Sequence, residues 1–192
     1  MIEIIILSFI QGVAEFIPVS SSSHLILMSN LLNFENQSLS IDVSLHIGSL
    51  LAVLVYFYKD IISFVENKIL FFKIFISSLP VVIVGFLLVE TGIIDQIRNI
   101  KIIAWTTLIF GFLLYFSDKF KLEKNLEKNF SYKSAIFIGL FQILSLVPGV
   151  SRSGIAITAA RLLNFKRVDA AKISFFLSIP ILSAVSFFGL KN

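Results

Sequence analysis

Two polar segments inside an otherwise apolar chain place the strongest limit on how this sequence can fold. The first is QGVAEFIPVSSSSH at Gln11–His24, and the second is PGVSRSG at Pro148–Gly154. Of the 192 residues, 57% are hydrophobic and only 15% are charged, whereas a soluble domain has about 45–50% apolar and about 25% charged residues. The composition therefore predicts an integral membrane protein, and we expect the two polar segments to lie inside it, facing each other.

Eight apolar segments follow one another along the chain, at 1–17, 24–33, 41–58, 69–89, 100–117, 134–147, 154–163 and 169–190. A straight crossing of a bilayer needs roughly 20 residues, so the four longest segments predict four full transmembrane spans. The shorter segments on either side of each polar segment predict two re-entrant helix hairpins, because irregular backbone at membrane depth is tolerated only where protein or a watery cavity satisfies it. The predicted fold is an all-α integral membrane bundle.

The two hairpins predict an inverted repeat, with a site near the midplane where the hairpins touch. The whole chain, 1–192, forms one membrane domain with a first half at 1–117, a lysine-rich linker at 118–133 and a second half at 134–192. The second half has a hairpin and only one span, so it is incomplete. We expect either that about two C-terminal helices are missing or that a partner chain supplies their packing surface, as in a homodimer.

The basic residues predict the orientation of the chain. The predicted loop at 59–68, extended to Lys73, and the linker at 118–133 are rich in lysine, whereas the loop at 90–101 holds only Arg98 and Lys101. By the positive-inside rule the lysine-rich segments are cytoplasmic, so the first hairpin enters from the outer face and the second from the cytoplasm. The N-terminus carries an acid where a cleavable signal peptide would carry positive charge, and we expect the first segment to remain in the mature protein.

The first polar segment contains a buried carboxylate with an amide one helical turn before it. Glu15 and Gln11 are four residues apart and so share a helix face, and their oxygen atoms could hold a hard divalent cation. The alternative is that Glu15 pairs with Arg152 and only holds the two hairpins together.

Four consecutive serines and a histidine complete this segment. A helix that starts at the serines offers free N–H groups and a favourable dipole for phosphate, while the alternative is that one serine caps the helix and the others fill a polar turn. His24 lies three residues after Ser21, so both could face one cavity, where histidine can take or give a proton. The alternative for His24 is a hydrogen bond that serves packing. The serines are Ser20, Ser21, Ser22 and Ser23.

A second histidine, His46, follows Asp42 by four residues inside the segment 41–58. The pair lies at the outer end of a predicted span, where it can be structural or can flank the site. The sequence favours neither reading.

The second polar segment places an arginine between two serines. Pro148–Gly149 breaks the incoming helix, and we expect Ser151, Arg152 and Ser153 to begin the next one. A guanidinium matches two phosphate oxygens, and the hydroxyl and N–H groups beside it add donors. Further along, Arg161 is predicted to extend towards the membrane interface.

Taken together, QGVAEFIPVSSSSH, DVSLHIGSLLAV and PGVSRSGIAIT resemble the bacterial undecaprenyl-diphosphate phosphatase family, also called bacitracin-resistance phosphatases. The resemblance covers most of the chain. It implies an enzyme of the bacterial inner membrane that hydrolyses undecaprenyl diphosphate to undecaprenyl phosphate and inorganic phosphate, which recycles the lipid carrier of peptidoglycan synthesis. It also implies an active site that opens to the periplasmic side, a divalent cation such as Mg²⁺ or Ca²⁺, and six spans where this chain has four.

Carried over residue by residue, the resemblance implies the following roles. Gln11 and Glu15 bind the metal, Ser21 and His24 act in catalysis, and Arg152 grips the phosphate. Independently of the resemblance, the hydroxyl groups beside these residues lead us to expect that Ser20, Ser22, Ser151 and Ser153 also contact the phosphate. The alternatives are a polyprenyl-phosphate transporter or flippase that does not hydrolyse its lipid, and an inactive, truncated copy. The type-2 phosphatidic acid phosphatase design is set aside because both histidines precede Arg152, and the modest net charge of +4 makes nucleic acid an unexpected partner.

Overall fold

A computed structural model describes residues 2–34, 39–92, 99–119 and 123–189. The secondary-structure elements of these residues are helices. Arg98 and Lys121, on which part of the predicted orientation rests, lie outside the described residues. In chain order the elements are α1 (Ile2–Ala14), α2 (Ser21–Leu32), α3 (Leu39–Tyr56), α4 (Tyr58–Glu66), α5 (Lys68–Glu90), α6 (Ile100–Ser117), α7 (Leu126–Asn129), α8 (Tyr132–Gln142), the 3₁₀ turn Ile143–Leu146, α9 (Arg152–Leu162) and α10 (Arg167–Gly189).

Within the described residues, three helices, α5, α6 and α10, are long and apolar enough to cross a bilayer. Helices α3 and α4 are long and apolar enough to cross a bilayer only when they are taken together, and the chain bends by 80° between them. The predicted count of four spans is therefore met when the bent pair is one span. The prediction of a plain loop after residue 58 is wrong, because Tyr58–Glu66 is a helix that buries Phe64 and leaves its charged side chains exposed.

The first helix pair, α1 and α2, folds back on itself and packs against α3. A small apolar cluster of Leu7, Leu25 and Leu45 joins the three helices. The chain leaves helical geometry after Ala14 and enters α2 at Ser20, whose Oγ accepts from the backbone N–H of Ser23 at the start of the helix. One of the four serines is thus an N-cap, as the sequence allowed.

The second helix pair, α8 and α9, packs against α5, α6 and α10 and contributes five of the fifteen buried residues of the larger apolar core. At its tip Gly149 has φ of +95°, in the left-handed region that favours glycine. A Cβ at this position would collide with Thr106 Oγ1 and would lie 2.7 Å from the carbonyl oxygen of Ile103. The tip therefore lies directly against α6, and only glycine fits between them.

Arg161 does not extend to the membrane interface, and that prediction is wrong. Its side chain is completely buried at the end of α9. It donates to the carbonyl oxygens of Phe165 at 3.1 Å and Asp118 at 2.6 Å, and it pairs with the carboxylate of Asp118 at 2.8 Å. Arg167 pairs with the same carboxylate and holds the pKa of Asp118 below its usual range. The ends of α6, α9 and α10 are joined by this cluster.

Candidate active site

Glu15 lies at the centre of the contact between the two hairpin tips. As a whole residue, Glu15 is 6% exposed. Its carboxylate accepts three hydrogen bonds from three parts of the chain. Oε1 accepts from Nη2 of Arg152 at 2.5 Å, while Oε2 accepts from Oγ of Ser21 at 2.7 Å and from Nε2 of Gln11 at 2.9 Å. Four of the predicted site residues are thus brought together, although they come from both ends of the sequence.

Ser153 adds a second connection between the tips. Its Oγ donates to the carbonyl oxygen of Ile17 at 2.8 Å. Ser151 is the N-cap of α9, since its Oγ accepts from the backbone N–H of Gly154 at 3.1 Å. Both hydroxyls therefore have a structural partner, and their predicted contact with a phosphate stays a prediction. Arg152 is the first residue of α9, which directs its guanidinium to the junction from a rigid element.

Among the serines of the first segment, Ser21 alone contacts the carboxylate of Glu15. Ser20 accepts from the hydroxyl of Ser23 at 2.8 Å as well as capping α2, and Ser22 lies 3.5 Å from Ser20 between their hydroxyls. Because an ionised carboxylate can only accept, Ser21 is the donor in its bond to Glu15. The oxygen of Ser21 keeps its lone pairs for another partner, as an attacking hydroxyl requires.

His24 lies on the same helix as Ser21, but its ring points elsewhere. Nδ1 is 2.7 Å from the carbonyl oxygen of Ser20. Since a carbonyl oxygen only accepts, Nδ1 carries a proton, and in a neutral ring Nε2 then has a free lone pair. The described residues give this ring no hydrogen bond to Glu15 or Arg152, and His24 is exposed. Its proton-transfer role stays a prediction.

His46, for which the sequence left two readings open, lies at the site. Its Nδ1 is 2.7 Å from the carbonyl oxygen of Asp42, and its Nε2 is 3.6 Å from Oε2 of Glu15. The Asp42 contact fixes the proton on Nδ1, as in His24, so Nε2 is the atom that faces the carboxylate. The third helix thus contributes a side chain to the junction of the two hairpins.

A small cavity of about 140 Å³ adjoins Arg152 on the side facing α10. Two of its lining residues, Ser174 and Ser178, were not among the predicted site residues. Ser174 donates to the carbonyl oxygen of Ser153 at 3.4 Å and so connects α10 to the start of α9. The only signal in the sequence was a pair of serines one helical turn apart inside an apolar span.

The oxygen atoms at the junction fit a hard cation of the Mg²⁺ type. Among the described residues, Oε1 of Gln11 is buried and has no hydrogen-bond partner, while Nε2 of the same amide donates to the Glu15 carboxylate. The described residues contain no group of three or more His, Cys, Asp or Glu side chains that could hold a metal ion. A divalent cation here would therefore depend on these two side chains together with water or phosphate oxygens, which is how Mg²⁺ is commonly bound.

The fold and the site define a multi-pass membrane protein with a polar, charged centre where two helix hairpins meet. Comparison with known proteins gives the family. The family described as bacitracin resistance protein BacA matches residues 4–191, and the chain belongs to that family.

Individual relatives agree. The chain is 51% identical to the undecaprenyl-diphosphatase of Pelagibacter ubique over 193 aligned residues, which cover 100% of this chain and 75% of the relative. It is 42% identical to the undecaprenyl-diphosphatase of Saccharophagus degradans, over 100% of this chain and 77% of the relative. It is 40% identical to that of a Jannaschia species, over 98% and 75%. The chain thus spans about three quarters of the length of these relatives.

Proposed function

We propose that this chain hydrolyses undecaprenyl diphosphate to undecaprenyl phosphate and inorganic phosphate. The observation that carries the proposal is the contact of Glu15 with Arg152 and Ser21, which assembles a cation, a carboxylate and a hydroxyl at the junction of two hairpins. The family supplies the substrate class, since the relatives described above are undecaprenyl-diphosphatases. A lipid diphosphate also suits a charged site inside a membrane protein, because its tail is apolar and its head is anionic.

Arg152 is the residue best placed to bind the diphosphate. One of its nitrogens, Nη2, is occupied by Glu15, and the described residues give the other guanidinium nitrogens no hydrogen bond. Its side chain is 15% exposed and lines the small cavity beside α10. The guanidinium can therefore keep its contact with Glu15 while it donates to phosphate oxygens. Positioning and charge neutralisation of this kind dominate phosphoryl transfer.

Either Ser21 or a water molecule attacks the terminal phosphorus. The hydroxyl of Ser21 already donates to Glu15, so Glu15 is placed to receive the proton of Ser21. Nε2 of His24 does not belong to the hydrogen bonds around Glu15, and it is placed to receive a proton from another group. In the serine route Ser21 displaces undecaprenyl phosphate and forms a phosphoserine, which water then hydrolyses to inorganic phosphate. In the water route water displaces undecaprenyl phosphate, and inorganic phosphate forms in one step. Rapid acid quench with a substrate labelled in its terminal phosphate traps labelled Ser21 in the first case. Full turnover in Ser21→Ala supports the second.

A divalent cation is part of the proposal. When bound, it would neutralise negative charge on the diphosphate. Gln11 and Glu15 would hold it through their side-chain oxygens, and the glutamine leaves only one formal negative charge from these two ligands. Loss of phosphate release in chelator, with recovery on adding Mg²⁺ or Ca²⁺, supports a cation. Unchanged turnover in chelator contradicts it.

We place the protein in the bacterial inner membrane with the site open towards the periplasmic side. The support is the lysine-rich linker, which the positive-inside rule assigns to the cytoplasm. Because the chain has no cysteine, single cysteines at Lys128 and at Asn30 can be labelled in intact cells with a membrane-impermeant maleimide. Labelling at Asn30 and protection at Lys128 is the expected result, and the reverse pattern contradicts this orientation. The predicted homodimer stays a prediction, which light scattering of the detergent-solubilised protein checks.

The direct test is phosphate release by the purified protein from the C55 diphosphate in detergent. The expected result is stoichiometric release of inorganic phosphate and undecaprenyl phosphate, abolished in Arg152→Ala. Translocation of the lipid across vesicles by protein that releases no phosphate would contradict hydrolysis and support a carrier. Failure to accumulate in the membrane without a longer partner would support an inactive copy.

A further inference from the structure

A long apolar groove runs between α2 and α6, beside the candidate active site. Its volume is about 670 Å³. Leu27 lines it from α2, and one face of α6 lines it from Ile100 to Tyr115. Fifteen helical steps at about 1.5 Å each make this wall about 22 Å long. The groove therefore follows the helix axis for most of a hydrocarbon layer about 30 Å thick.

The lining of the groove is suited to hydrocarbon and to little else. Among the described residues that line it, Thr107 is the one polar side chain besides the phenol of Tyr115 at one end. The hydroxyl of Thr107 donates to the carbonyl oxygen of Gly149 at 3.3 Å, so it is not a free donor. A ligand with polar groups along its length would lose hydrogen bonds to water here without replacement.

Two features place the groove beside the site. Thr107, in its wall, holds the carbonyl of Gly149, which lies three residues before Arg152. Leu27, in the opposite wall, follows His24 by three residues on α2 and so shares its helix face. A ligand whose charged end lies at the hairpin junction can therefore extend its apolar remainder into this groove.

We propose that the α2–α6 groove binds the polyprenyl tail of the lipid substrate. This inference rests on the proposed function and extends it from the diphosphate to the chain that carries it. Contacts to this remote part of the substrate orient the diphosphate, so their loss lowers kcat/KM for long-chain substrates in particular.

Gly111 offers a clean way to fill the groove. It lies in the groove wall, and a Cβ added there meets nothing within 4 Å. Gly111→Phe places a ring in the groove without a backbone collision. Ile109→Phe is the matched control, because Ile109 is 55% exposed on the same helix, lies outside the groove and points about 160° away from Gly111.

The experiment compares kcat/KM for the C55 diphosphate with kcat/KM for farnesyl diphosphate in the same detergent. Gly111→Phe is expected to lower the long-to-short ratio about tenfold, equivalent to about 1.4 kcal/mol, while Ile109→Phe leaves the ratio within about twofold. Ala104→Phe, two turns away in the same wall, repeats the measurement if Gly111→Phe does not fold. Equal ratios in the wild type and the groove variants overturn the proposal.

A second measurement separates failure of the groove from failure of the enzyme. If the wild type releases no phosphate from either substrate, the proposed function is wrong, and the groove is then judged by binding alone. A diazirine-bearing polyprenyl phosphate is photolysed with the protein in detergent, and the labelled peptides are mapped. Saturable labelling confined to α2 and α6 supports the groove. Even labelling of all apolar helices overturns it.

Discussion

The contact between Glu15 and Arg152 allows two readings, a catalytic pair or a structural tie between hairpins, and a double-mutant cycle separates them. The perturbations are Glu15→Gln, Arg152→Gln and the two together. Each single change leaves a charge without its partner at a site where the side chains are 4% and 15% exposed. Breaking a buried ion pair in this way costs about 3–5 kcal/mol. At about 2–4 °C per kcal/mol for a chain of this size, the Tm in detergent should fall by roughly 10 °C.

The double variant removes both charges and leaves two amides that can hydrogen-bond to each other. It should therefore recover most of the lost stability, so that the coupling energy exceeds the cost of either single change. Activity should not recover. Removal of one donor that stabilises transition-state charge lowers kcat by about 10²–10³, and all three variants should show at least this loss of phosphate release.

Tm and phosphate release are both measured on the same purified samples. A double variant that regains both stability and turnover to within about tenfold of the wild type would refute the reasoning, since the pair would then act only as a tie. A double variant whose loss of stability equals the sum of the two single losses would show that the two side chains are not coupled. The expected outcome is a stable protein that releases no phosphate.

Three further predictions test the surroundings of this pair. His46→Ala should lower kcat/KM about tenfold, and His46→Gln, whose amide N–H2 can reach the same carboxylate, should recover much of it in the phosphate assay. Gly149→Ala should destabilise the fold by about 1–3 kcal/mol from backbone strain alone and abolish turnover. The control Gly48→Ala, where a Cβ meets nothing within 4 Å, should leave turnover unchanged. Equal effects of the two substitutions on turnover would contradict the close approach of the hairpin tip to α6. Arg167 lowers the folded-state pKa of Asp118 from the ordinary 3.8. The stability contributed by this ion pair is therefore complete above pH 3.8 and is lost as the pH falls through the lowered pKa. On acidification the Tm of Asp118→Asn should fall less than the Tm of the wild type.

Local rules predicted the parts of the site that lie within a few residues of each other. Gln11 and Glu15 are four residues apart on one helix, and they do form a hydrogen bond. A serine cap was predicted at the start of α2, and Ser20 provides it. The helix after Pro148–Gly149 does begin at Arg152. In each case the period of the helix or the chemistry of a cap decides the contact, and both can be read from the sequence.

The contacts that the sequence did not predict join residues far apart in the chain. His46 reaches Glu15 from another helix, and the i,i+4 spacing that drew attention to Asp42 says nothing about the direction of Nε2. Arg161 was expected at the membrane interface because long basic side chains extend there. Its burial depends on Asp118, 43 residues earlier, whose carbonyl accepts from Nη2 and whose carboxylate pairs with the same nitrogen. Tertiary contacts of this kind are set by packing, not by local preference.

The two arginines of α9 show how the same residue type serves opposite purposes at the two ends of one helix. Arg161 is in the last turn, where the helix dipole favours a cation, and its contacts to Asp118 and Phe165 complete a buried structural site. Arg152 is the first residue, where the dipole disfavours a cation. A charge in that position is unfavourable for the helix itself, and Glu15 offsets the cost only in part, because it leaves the other guanidinium nitrogens without a partner. A phosphate at this point gains from the guanidinium and from the free N–H groups of α9 together. The preference of helix ends for opposite charge is thus broken at the N-terminus of α9, where an anionic substrate can neutralise Arg152. It is kept at the C-terminus, where the protein supplies its own anion, Asp118.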